Sequence, residues 1–166
     1  MTRSELQSLI QDWIEAKETQ PLLKDIVSII QFGSTTKEYI KQTTDVDLLV
    51  LFRTIPEGSL ERHSILTPIE DSLNFQLNKM KDHQLHTSII AKDVRNLQNV
   101  LPIYLDMVED HHIFLDLEGH GQMILDKTKR WMLRHGSKKI QKGLLWYWIL
   151  DTISPPGSDV DFNFDK

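Results

Sequence analysis

Apolar positions near the N-terminus recur with the period of a helix. Leu6, Leu9, Ile10, Trp13 and Ile14 stand at i, i+3, i+4, i+7 and i+8, on one face of an amphipathic helix. The pattern predicts that helix over residues 4–18, within an N-terminal helical region 1–20. Ser4 and Gln7 would form its capping box, and it stops before Pro21. The period then changes. Residues 25–32 and 45–52 are short runs dominated by Ile, Val, Leu and Phe, the pattern of strands buried on both faces. Residues 34–40 between them predict a short helix, and 53–58, with Pro56 and Gly58, a loop.

Further along, Thr67-Pro68-Ile69-Glu70 reads as a second capping box with proline at the first helical position. It would open a helix whose inner face is Ile69, Leu73, Leu77 and Met80, after a turn of helix at 60–66. Residues 84–91 predict a third strand, Asp93 a cap on a short helical turn, and 101–109 a helix with Pro102 near its start. A short apolar stretch at 113–115 and a turn at Gly119 and Gly121 lead to a helix over 122–135. That helix carries Ile124, Thr128, Trp131, Met132 and His135 on one side and ends at Gly136. Residues 138–141 and 144–150 predict two strands about Lys142-Gly143. The tail from Ser154, with Pro155, Pro156 and Gly157, is expected to be flexible. Strands alternating with helices make the fold class α/β.

Composition narrows the function classes. The 166 residues are 40% hydrophobic and 26% charged, ordinary soluble composition and the length of one domain, 1–166. Cysteine is absent, which removes disulfides, thiolate zinc sites and cysteine nucleophiles. Neither an apolar stretch near 18 residues nor an N-terminal signal segment is present, so a cytoplasmic location with no membrane partner is expected. The net charge of -5 argues against general nucleic-acid binding but leaves room for a nucleotide site. Lys127, Lys129, Arg130, Arg134, Lys138, Lys139 and Lys142 cluster in sequence; a solvated helix face and hairpin edge weighs more here than a polyanion or partner surface. Neither GxSxG nor GxxxxGK[ST] occurs, which leaves serine hydrolase and P-loop chemistry without support.

The chemistry concentrates in IVSIIQFGSTTKEYIKQTTDVDLLVLF, residues 26–52. Asp45 and Asp47, two apart at the start of an apolar strand, point to one face. Two like charges held that close are costly unless a cation joins them. In Gly33-Ser34, ten spacer residues and Asp45-Val46-Asp47, the chain resembles the nucleotidyltransferase superfamily, whose signature is Gly-Ser followed at that spacing by Asp-x-Asp. A second likeness covers LPIYLDMVEDHHIFLD and KKIQKGLLWYWIL. These segments are similar to small nucleotidyltransferase-domain proteins of archaea and some bacteria, so that the resemblance spans roughly residues 25–160.

The resemblance implies a polymerase-beta-like fold, a mixed sheet flanked by helices. It implies a nucleoside triphosphate as substrate, two Mg²⁺ ions held by Asp45 and Asp47 as the catalytic carboxylates, and phosphates bound by Gly33, Ser34 and Lys37. Lys37 stands where related proteins often carry arginine, and an exposed lysine on a short helix weighs equally there. The implied reaction is transfer of a nucleoside monophosphate, most often AMP from ATP, to a hydroxyl. Minimal nucleotidyltransferase antitoxins, which share the motif, modify a tyrosine of a partner HEPN-domain toxin, so a protein acceptor or toxin-like partner is implied more than a drug.

The chain departs from the pattern at the third carboxylate that many active members carry on a later strand, since 84–91 holds none. His86 or Ser88 could take that place. Asp82, Asp93, Asp106, Glu109 and Asp110 are weak substitutes, with a solvated face weighing more for the helical acids. A catalytically weak module that binds nucleotide or a partner protein is therefore the competing function. His111, His112 and His120 carry no zinc spacing, and for Trp146 and Trp148 core packing or a sheet face weighs more than base stacking. Oligomeric state and base preference stay open.

Overall fold

A computed structural model describes residues 1–79, 83–143 and 145–164. Met80, Asp82 and Leu144, named above, lie outside the described residues. Helices α1 (Arg3–Glu15) and α2 (Gln20–Leu23) precede strands β1 (Ile26–Phe32) and β2 (Thr43–Phe52). Then come α3 (Ser59–Leu77), β3 (Gln84–Asp93), α4 (Pro102–Glu109), β4 (His111–Asp116), α5 (His120–His135) and the hairpin β5 (Lys138–Lys142) with β6 (Leu145–Ile149). The main sheet is mixed, in the order β3-β2-β1-β4. β1 pairs antiparallel with both β2 and β4, and β2 runs parallel to β3. Among the described residues no helix is long and apolar enough to cross a membrane.

The apolar runs are continuous because both sheet faces are covered. On one face Val46, Leu48, Val50 and Phe52 of β2 pack with Leu6, Ile10 and Trp13 of α1 and with Ile69, Leu73 and Leu77 of α3. On the other, Leu49 and Leu51 pack with Tyr104 and Leu105 of α4 and Ile124 and Trp131 of α5. Strand alternation puts Asp45 and Asp47 on this second face.

Four expectations are corrected. Thr2, not Ser4, caps α1: its hydroxyl accepts from the Glu5 N–H at 3.3 Å while the Glu5 carboxylate accepts from the Thr2 N–H at 2.7 Å. The helix stops at Glu15, and Pro21 opens α2 instead of ending α1. The Thr67–Glu70 box lies inside α3, which starts after Gly58. Pro68 is exposed, so water can satisfy the carbonyl that its ring leaves without a donor. The helix expected over 34–40 is only a four-residue 3₁₀ turn, Gly33–Thr36, closed by Thr36 Oγ1 donating to the Gly33 carbonyl at 2.7 Å. In the tail, residues 154–159 are exposed, while the segment after them contacts the body: Val100 N–H donates to Phe162 O at 2.7 Å, Phe164 N–H to Gln98 O at 3.0 Å, and the Phe164 side chain is buried.

Candidate active site

Buried β1 delivers the chain to Gly33, whose φ of +78° starts the 3₁₀ turn in the left-handed region. The turn is fixed from below by buried Gln31, whose Nε2 donates to the Thr35 carbonyl and hydroxyl, both at 3.1 Å. Ser34 Oγ lies 3.2 Å from Thr44 Oγ1, one hydroxyl donating to the other across to β2. Three positions along β2, the Asp47 carboxylate lies directly over Gly33: a Cβ there would be 2.5 Å from Asp47 Oδ2. The Gly-Ser and the second aspartate are thus one contact, made possible by a residue without a side chain.

Asp47 is half-buried, and burial pushes its carboxyl above the ordinary aspartate value; the Ser88 hydroxyl bonded to it pulls the other way, and the charge of Asp45 adds to the rise. Ser88 stands opposite Asp47, and His86 opposite Asp45, in the β2–β3 register. No described cation forms an ion pair with either aspartate.

Gly33, Ser34, Lys37 and Asp47 line one open cleft of about 570 Å³, within the range of small-molecule sites. Lys37 follows the turn in extended backbone and is exposed, not on a helix. Exposed Asp45 precedes Asp47 on the same strand face but is not among the cleft-lining residues.

A second part of the lining comes from α4, its C-terminal end and the hairpin: Ile103, Asp106, Glu109, Asp110, Lys139 and Trp146. Lys139 Nζ bonds Asp106 Oδ1 at 3.1 Å and Glu109 Oε2 at 2.6 Å. Burial works against its ammonium, but these bonds outweigh it and hold its pKa above the ordinary lysine value. Asp110 is 3.7 Å from Arg3 Nη1.

No protein-family model matches the chain. A Methanocaldococcus jannaschii protein named "Putative protein adenylyltransferase MJ1305" is 24% identical over 131 residues, which cover 78% of this chain and 84% of that protein. That likeness to a protein named as an adenylyltransferase agrees with the resemblance that the Gly-Ser and Asp-x-Asp motifs carry. Among solved structures, one chain of a toxin–antitoxin complex with AMP-PNP superposes with a TM-score of 0.43 at 16% identity, covering 75% of this chain and 87% of that one. One from a tri-AMPylated Shewanella oneidensis HEPN toxin in complex with MNT antitoxin gives 0.42 at 13% identity, covering 80% and 87%.

The chain places no carboxylate on β3 beside Asp47 among the described residues; Ser88 stands there. Asp93 is at the far end of β3, buried and held by Arg95 and the Ile55 N–H, and does not line the cleft. Asp106, weighed above as a solvated helix residue, instead faces the cleft with a side chain 19% exposed. Lys139 is exposed on the hairpin, as a solvated edge residue would be, and Trp146 stands 51% exposed on the face of β6, yet both also line the cleft. The signal was the spacing of α4 acids and hairpin cations, which only the packing of the hairpin onto α4 turns into a wall. The described residues hold no group of three or more His, Asp or Glu side chains able to hold a metal by themselves.

Proposed function

We propose that this chain is a Mg²⁺-dependent nucleotidyltransferase that moves a nucleoside monophosphate, AMP from ATP, to a hydroxyl of a protein acceptor. The observation that carries the reading is Asp47: a half-buried carboxylate, beside a second one, without a cation partner, against the bare Cα of Gly33 in an open cleft. Such a pair is incomplete without a cation. Mg²⁺ suits it because that ion takes one or two carboxylates and fills its remaining positions with phosphate oxygens and waters, so a third protein ligand is not required for binding.

Asp45 and Asp47 would hold the metal, and Gly33 would let the phosphates approach the backbone. The Ser34 hydroxyl would donate to a phosphate oxygen, and Lys37 would supply a positive charge to the β- and γ-phosphates. In the reaction the acceptor oxygen bonds to the α-phosphorus and loses its proton as the bond to pyrophosphate breaks. Two Mg²⁺ ions would offset the charge on the attacking and leaving oxygens. Protein as the acceptor class is supported by the name of the archaeal relative.

A second reading, a nucleotide-binding module without turnover, is favoured by the absence of a third carboxylate on β3 beside Asp47 among the described residues and by Lys139 engaging Asp106 and Glu109. The test is transfer of label from α-labelled ATP to proteins of a cell extract, with Mg²⁺ and with EDTA. Mg²⁺-dependent labelling that Asp47→Asn lowers by at least about 100-fold supports the enzyme. Tight ATP binding with no labelled protein and no pyrophosphate release supports the module.

A further inference from the structure

We infer that Trp146 is the platform on which the nucleobase stacks, and that Lys139 is the positioning residue that holds its ring at the cleft; this rests on the nucleotide-binding reading of the same cleft. Two aromatic side chains line that cleft. Phe32 is buried in the core, whereas Trp146 is 51% exposed on β6. A large apolar ring left half open in a concave site is available for a ligand rather than spent on packing.

The ring is also fixed. Its neighbour Trp148 donates its indole N–H to Asp106 Oδ1 at 3.2 Å, fastening β6 to α4. Lys139, opposite Trp148 in the hairpin register, lies 4.5 Å from the Trp146 ring centroid. The same ammonium is tied to Asp106 and Glu109, so the cation–π contact is made by a lysine that cannot swing freely. The hairpin thereby presents a π-face, held by these contacts, to the same cleft as Gly33, Ser34 and Lys37, which would take the phosphates. A triphosphate at one part of the lining and a flat heteroaromatic at the other is the division of a nucleotide.

Stacking of this kind tolerates any base, because every base has a π-face. Trp146 therefore contributes affinity for the base without choosing among bases. Removing such a platform weakens binding by roughly 5- to 150-fold.

The test is calorimetric titration of the full chain with Mg²⁺ and either ATP or inorganic tripolyphosphate, which has the phosphates without the base. Trp146→Ala is expected to weaken ATP by about tenfold or more and to leave tripolyphosphate unchanged, with Trp146→Phe recovering most of the loss. Lys139→Gln should give a smaller loss for ATP alone. Equal loss of both ligands in Trp146→Ala would make the residue merely structural, and unchanged ATP affinity would place the base elsewhere. Either overturns the inference, as would a wild type that binds both ligands equally. A wild type that binds neither would remove the nucleotide reading itself, and the platform with it.

Discussion

Asp47 sits half-buried beside Asp45, and its raised pKa makes stability depend on pH in a definite direction. A carboxyl raised above its unfolded value contributes stability that is full below that value, near 3.9, and lost as pH rises through the folded value. At neutral pH the ionised group is therefore a cost to the metal-free fold. Asp47→Asn should raise the thermal midpoint at pH 7, and that gain should fade below about pH 4; a lower midpoint at pH 7 would contradict the assignment. Gly33 is the complementary case. Gly33→Ala brings a left-handed alanine, costing about 1–2 kcal/mol, and sets a methyl 2.5 Å from Asp47 Oδ2. Gly143→Ala, with a φ of +61° and nothing within 4 Å, brings the backbone strain alone. Chemical denaturation should show Gly33→Ala as the larger loss, and only that variant should lose Mg²⁺–nucleotide binding. These residues were legible in the sequence because strand alternation and a short spacer fix them locally. Asp106, Lys139 and Trp146 were not, since long-range packing of α4 and the hairpin is what makes them one wall.

At the level of elements, Asp93 shows how a single side chain joins three segments. It caps the turn after β3 through the Arg95 N–H at 2.9 Å and accepts from the Ile55 N–H at 3.2 Å. It also takes two bonds from the Arg95 guanidinium, at 2.9 and 2.6 Å. The Arg95 side-chain bonds lead, with the backbone N–H bonds assisting against burial, in holding its carboxyl well below the usual carboxylate range. Stability from such a depressed group is present above the unfolded pKa and lost only as pH falls through the folded one. Asp93→Ala should cost about 2–3 kcal/mol at pH 7 by leaving a buried donor unsatisfied, and the difference from wild type should narrow only in strongly acidic solution. The cap was readable in sequence because it is local. The Thr67–Glu70 box misled for the converse reason: the same residue types occur inside a helix when Pro68 faces water.

Across the whole molecule, the tail closes the second core. Phe162 stacks on Trp131 with centroids 5.6 Å apart, the Trp131 indole N–H donates to Asp161 O at 2.8 Å, and Phe164 is 5% exposed. Phe164→Ala should destabilise by about 3 kcal/mol, measured by equilibrium denaturation; a change within 0.5 kcal/mol, the usual bound for surface positions, would contradict that placement. The Pro-Pro-Gly and the acidic residues hid this segment. The alternation of Val160, Phe162 and Phe164 was its signal, a period of two that Gln98 and Val100 answer with backbone hydrogen bonds. The sheet, by contrast, was legible from its apolar runs, since two-sided burial leaves little alternative for 26–32 and 46–52.

The central claim, a Mg²⁺-dependent nucleotide site at Gly33, Ser34, Asp45 and Asp47, is tested most directly by the thermal midpoint with a non-hydrolysable ATP analogue. Wild type and the Asp45→Asn/Asp47→Asn double variant are compared with and without Mg²⁺. Ligand at about 100 times its dissociation constant should stabilise the wild type by roughly 2.7 kcal/mol, only with Mg²⁺ present and not in the variant. An equal shift in the variant, or none in the wild type with Mg²⁺, would contradict it.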